Sequence, residues 1–211
     1  MTTEDLIRAL AADGHVGQKP RMTLLIALLP AIAFVAILFF SRIGFREDID
    51  GALRTVRFLF KFAVIVPLAV VTMGSLLRST GPISHYGWWA KLLLLPLILL
   101  CAGVAAELLT IPRSDWMIRL IGSNAVNCMT LIPLLASGPL AIFLAVLRNG
   151  APANPGWSGA MAGLAASSIA AIFYAMNCFD DSPLFVITWY PLAIGAVVFA
   201  GYLAGLRILR W

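Results

Sequence analysis

A chain of 211 residues that is 61% hydrophobic and only 12% charged lies far from the roughly 25% charged, 45–50% apolar make-up of a soluble domain, which excludes a water-facing globule. Its net charge of +5 is spread beside apolar runs, not gathered into the basic stripe of a nucleic-acid binder, so no nucleic-acid partner is expected. The three cysteines, Cys101, Cys128 and Cys178, form no CxxC pair, which argues against a disulfide scaffold, a zinc ribbon or a thioredoxin-type motif.

Residues 1–21 read as a tail outside the bilayer. Thr2 to Gly14 reads as a short helix: Thr2 with Asp5 resembles a capping box, acids sit in the first turn and Gly14 supplies a stop. Leu6, Ile7 and Leu10 share one face. Such a peptide is too short to stand alone in water, so it either lies on the membrane or bundle, or docks into the groove of a soluble partner. The acids in this tail and the length of the first apolar run predict no cleaved signal peptide.

Six runs then follow at the length a helix needs to cross hydrocarbon, about 20 residues: Met22–Ser41, Phe58–Leu77, Leu92–Ile111, Cys128–Leu147, Trp157–Met176 and Leu184–Leu206. They are too long and too evenly apolar for barrel strands. The fold expected is all-α, a polytopic membrane bundle of six transmembrane helices over 22–211 with a short cytoplasmic N-terminal helix. Prolines at 30, 67, 96, 133, 139 and 191 read as packing kinks. In the fifth run Gly159, Gly163, Ser167 and Ala171 recur every four residues, and Gly201 and Gly205 repeat the spacing in the sixth. This stripe predicts close internal helix packing.

Six spans put both termini on one side, here side A, with the loop near 78–91 and the loop near 148–156. Side B holds 42–57, 112–127 and 177–183. Basic residues lean only slightly toward side A as cytoplasm. The loop 177–183 has two acids and no base, which suits an exterior loop, and Arg207, Arg210 and Trp211 suit an inner-leaflet anchor.

Cys128 opens the fourth span and Cys178 follows the fifth, so both fall at side B on helices expected to pack side by side. A disulfide between them needs a close approach, which the glycine stripe supplies if it faces the fourth span. Asp180, Asp181 and Glu107 lie near in sequence or depth and are candidate metal or proton neighbours. No ligand spacing points to a permanent metal. Cys101, in mid-span, reads as a small packing residue.

Several segments together resemble a known family: Asp5-Leu6-Ile7 with Leu10 to Asp13, Leu147 to Pro152, Cys178 to Val186, Trp189-Tyr190, and the ending Arg207 to Trp211. With six spans in about 210 residues, the chain resembles the negative-regulator-of-sigma-F (NrsF) family of bacterial inner-membrane anti-sigma factors. The resemblance implies a protein that holds an extracytoplasmic-function sigma factor inactive. Release would follow a metal or oxidative signal read by two cysteines near the periplasmic face, here Cys128 and Cys178. Leu6, Ile7, Arg8 and Leu10 would dock the sigma factor from the cytoplasm, where both termini would lie. No cofactor is expected beyond a transient heavy metal, and no enzyme activity. Phe179 stands where the family pattern has proline, and Asn177 where it has histidine; the missing histidine weakens a metal-ligand reading more than a disulfide. Two alternatives find less support: a membrane thiol oxidoreductase would want a CxxC pair and a quinone pocket, and a small transporter rests on Glu107 and the prolines alone.

Overall fold

Backbone groups inside hydrocarbon are satisfied only within helices or closed barrels, and these unalternating runs take the first course. The computed structural model describes residues 20–78, 91–150, 152 and 154–210, with Glu4, and its regular elements there are all helical. In chain order they are α1 (Pro20–Arg42), α2 (Ile49–Ala52), α3 (Val56–Arg78), α4 (Leu94–Thr110), a 3-10 turn (Arg113–Asp115), α5 (Trp116–Ile121), α6 (Ala125–Arg148), α7 (Pro155–Asn177) and α8 (Pro183–Ile208). The tail helix expected around Thr2 to Gly14, with Leu6, Ile7, Arg8 and Leu10, lies outside the described residues.

Five helices, α1, α3, α6, α7 and α8, are long and apolar enough to cross a membrane. The third expected span is the shorter α4, 17 residues, or about 26 Å at 1.5 Å per residue. Prolines 30, 67, 133, 139 and 191 all lie inside long helices, none of which they end.

The bundle is apolar on the outside. Leu29, Ile37, Val70 and Leu109 are 61–88% exposed, a surface that soluble monomers rarely present. The centre belongs to α7, whose Ala162, Ala166, Ala170 and Ala171 are fully buried. It packs most heavily on α8, then on α6 and α3.

The small-residue stripe packs internally, as expected, but against a different helix. Gly159 and Gly163 face α8, not α6. A Cβ on Gly163 would lie 2.7 Å from the Val197 carbonyl oxygen, and one on Gly201 would lie 2.5 Å from that of Gly159. The two helices therefore touch backbone to backbone. The seam therefore does not lie between α6 and α7, whose Ile132, Leu135 and Tyr174 belong to the same buried core. Cys101 also departs from expectation: it is exposed on α4 and fills no core space.

Candidate functional site

Side B is where the buried charge collects. Here α1, α4 and α7 end and α3, α6 and α8 begin, and the loop from Cys178 to Ser182 threads between them. Cys178 follows the last turn of α7, its N–H donating to the Tyr174 carbonyl at 3.0 Å. Cys128 sits in the first turn of α6. Both thiols are fully buried and free of disulfide. The Cys178 thiol donates to the Asp180 carbonyl at 3.7 Å, and the Tyr174 hydroxyl donates to the Asn124 carbonyl at 3.2 Å. Burial pushes the Cys178 thiol above its ordinary pKa, with the Lys61 charge opposing in part.

The two cysteine-bearing segments are clasped by Asp180. One of its carboxylate oxygens, Oδ2, accepts from the backbone N–H groups of Ser123 (2.9 Å) and Asn124 (2.8 Å) and from the Asn124 amide at 3.1 Å. Orphan N–H groups and the positive end of the dipole make a helix N-terminus a natural seat for a carboxylate. Asn124, the residue before α6, makes no side-chain cap of its own, so the Asp180 carboxylate from the other loop does that work. Gly122 makes the approach possible. Its φ is +59°, and a Cβ there would fall 2.8 Å from the Asp180 carboxylate and 2.5 Å from the Phe185 ring. Asp180 thus fixes the start of α6, four residues before Cys128, to a point two residues after Cys178.

Asp181 turns inward to two cations. Lys61, fully buried on α3, brings its Nζ to 2.5 Å from Asp181 Oδ1 and donates to the carbonyls of Cys178 (3.0 Å) and Asp180 (3.4 Å). Arg46 donates to Asp181 Oδ2 (2.8 Å) and to the Cys178 carbonyl (3.2 Å), and forks onto Asp48 at 2.6 and 2.8 Å. Its guanidinium stacks over Phe179 at 4.8 Å. The hydrogen bonds to Asp48, then Asp181, hold Arg46 well above the ordinary arginine range, and the same contact lowers the Asp48 carboxyl. The carbonyl of Cys178 therefore accepts from two cations at once.

Glu107, near the end of α4, closes the far side. Its Oε2 accepts from the Ser182 hydroxyl (2.6 Å) and the Leu184 N–H (3.2 Å), which ties α4 to the start of α8. Its Oε1 faces Arg119 at 3.5 Å and Arg57 at 3.7 Å. A polar cleft of about 610 Å³ opens beside this network, between Arg57, Arg119, Ser123 and Phe179.

The sequence-selected residues Cys128, Cys178, Asp180, Asp181 and Glu107 thus gather at one end of the bundle. Their carboxylates are engaged as clasps and ion-pair partners, and among the described residues no group of three His, Cys, Asp or Glu side chains could hold a metal. Sequence reasoning gave no site role to Arg46, Lys61, Gly122, Asn124 or Tyr174. Lys61 carried a usable signal, since an ionisable group inside an apolar span is a functional candidate by default. Arg46 and Asn124 sit in polar loops and carried none.

Residues 10–211 match the family described as negative regulator of sigma F. The chain belongs to this family. Over their full lengths and its own, it is 29% identical to the probable anti-sigma-F factor NrsF of Azospira oryzae and 29% identical to the anti-sigma-F factor NrsF of Caulobacter vibrioides. No solved structure matches.

Proposed function

We propose that this chain is a membrane anti-sigma factor. It holds an extracytoplasmic-function, sigma F-like factor inactive at the bacterial inner membrane and releases it when Cys128 and Cys178 meet an oxidant or a soft metal ion. The family match over residues 10–211 and the names of both relatives support a sigma-factor partner and a regulatory, non-catalytic role. In this reading α4 also crosses the membrane, as the third of six spans, lengthened by the helical turn at 91–93, and both termini lie in the cytoplasm. Leu6, Ile7 and Leu10, with Arg8 and the loop near 78–91, grip the sigma factor there and keep it from RNA polymerase.

The observation that supports the switch is the clasp: two buried thiols on segments joined through Asp180. With a peroxide as oxidant, the thiols yield two electrons and two protons, one S–S bond forms and the peroxide leaves as water. With a soft divalent metal, two thiolates bind and two protons leave. Either event replaces two packed neutral groups by a bridge of fixed geometry and resets the ends of α6 and α7. Such a signal shifts the bundle only by favouring one packing over another, and a bridge that fits one packing alone meets that requirement.

The test is co-purification in mild detergent. The sigma factor is expected to accompany the full chain, to be lost on Leu10→Asp, and to dissociate with oxidant or metal. Binding and repression unchanged after deletion of residues 2–14 would remove the tail from the mechanism. A reporter that still responds in the Cys128→Ser, Cys178→Ser double variant would remove the thiols.

A further inference from the structure

At the other end of the bundle α1 and α3 part. The first packs chiefly on α6 and the second on α7, and the two touch little. Between them lies a cleft of about 580 Å³, walled by Leu28 and Ile32 of α1, Val70 and Met73 of α3, and Ile172 and Phe173 of α7. That size falls within the ~300–1,000 Å³ of ligand sites. Its lining is hydrocarbon except at one end, where Arg21 opens α1 and Arg78 closes α3. Both arginines are exposed. Ile32 and Val70, on its rim, face outward at membrane depth.

We propose that this cleft is a binding site for an anionic phospholipid, with one acyl chain lying in the groove and the phosphate between Arg21 and Arg78. An apolar trough open to the bilayer favours a chain, and two cations at its side-A mouth favour a negative headgroup. Arg21 stands at the positive end of α1, which adds to the field an anion meets there. Basic pockets between transmembrane helices select anionic lipids in this way. The occupied groove would bridge α1 and α3, which have little direct contact of their own. The inference rests on the reading that these helices cross a bilayer, and not on the sigma factor or the thiols.

The test takes the full chain from membranes. Resistance to carbonate extraction checks the spanning reading by itself: a chain that washes off ends that reading, whereas one that stays leaves the site to be judged on lipid retention. Native mass spectrometry from equal mixtures of phosphatidylglycerol and phosphatidylcholine is expected to show one retained phosphatidylglycerol, preferred on the order of tenfold, as two arginines at a membrane surface would give. Arg21→Gln with Arg78→Gln should bring the two lipids to parity. Val70→Trp, at a position 61% exposed, should fill the trough and lower retention of both. Equal retention of the two lipids by the unaltered chain would overturn the proposal. So would phosphatidylglycerol held undiminished by the Val70→Trp chain, stabilisation by inorganic phosphate alone, or a cross-link placing the chain's own N-terminal tail in the groove while phosphatidylglycerol is present.

Discussion

Replacing Lys61 by methionine removes the ammonium and its three oxygen contacts, Asp181 Oδ1, the Cys178 carbonyl and the Asp180 carbonyl, while keeping an apolar stem of similar length. Breaking a buried ion pair by deleting one partner costs about 3–5 kcal/mol. Arg46 still serves Asp181 and the Cys178 carbonyl, and Asp181 keeps 16% exposure, so the lower bound applies, about 3 kcal/mol. For a chain of this size that is a fall in Tm of about 6–12 °C. The thiols supply the assay. Cys101 is exposed, and Cys128 and Cys178 are fully buried. In a Cys101→Ser background, a thiol-reactive fluorophore in detergent therefore reports only unfolding. Adding Asp181→Asn to Lys61→Met should recover part of the loss, because the carboxylate left facing the vacated position is then neutral. A shift under about 2 °C, or strict additivity of the two substitutions, would refute the account of Lys61 as the buried counter-ion of this loop.

Asp180→Ala should free the start of α6 at a cost of about 1–2 kcal/mol, the range for losing a helix cap, and should speed maleimide labelling of Cys128 and Cys178 in the folded protein; unchanged labelling would count against the clasp. Gly122→Ala is strained by its positive φ and by its meeting with Asp180 and Phe185, and about 1–3 kcal/mol of stability should be lost, read as a lower Tm in the same dye assay. Gly159→Leu should push α7 and α8 apart and cost several degrees of Tm, whereas Gly195→Leu, where a Cβ meets nothing within 4 Å, should be tolerated. The Cys178 thiol has a folded pKa raised above its unfolded value of about 8.5. The folded state then holds its proton longer than the unfolded one, so this contribution to stability is intact below about pH 8.5 and is lost as pH rises toward the folded pKa. Tm should therefore fall through that alkaline window, and less steeply in Cys178→Ser.

The long helices were legible because a run of about 20 apolar residues has few other fates, and their ends moved by only one to three residues. Span parity was enough to bring Cys128 and Cys178 to one end. What parity cannot tell is which side chains meet there. Asp180 and Asp181 are neighbours of one type, yet one caps α6 and the other faces Lys61 and Arg46, a division set by the path of a loop with no periodicity. The glycine stripe signalled a close contact but not its partner, since α6 and α8 both adjoin α7 and only Gly201 and Gly205 on α8 provide matching notches. α4 reads like any other span in composition, but its continuous helix begins only at Leu94, after the turn at 93 and two residues inside the apolar run.

The glycine seam also governs how a disturbance would travel. Where α7 and α8 meet at bare main chain, no side chain can change rotamer to absorb a shift, and the pair is stiff along that line. The loop joining them is the one that holds Cys178, Asp180 and Asp181. Tugging that hairpin bend would tilt two rods as one, and the tilt would emerge a bilayer's thickness away, at Pro155 and Arg207.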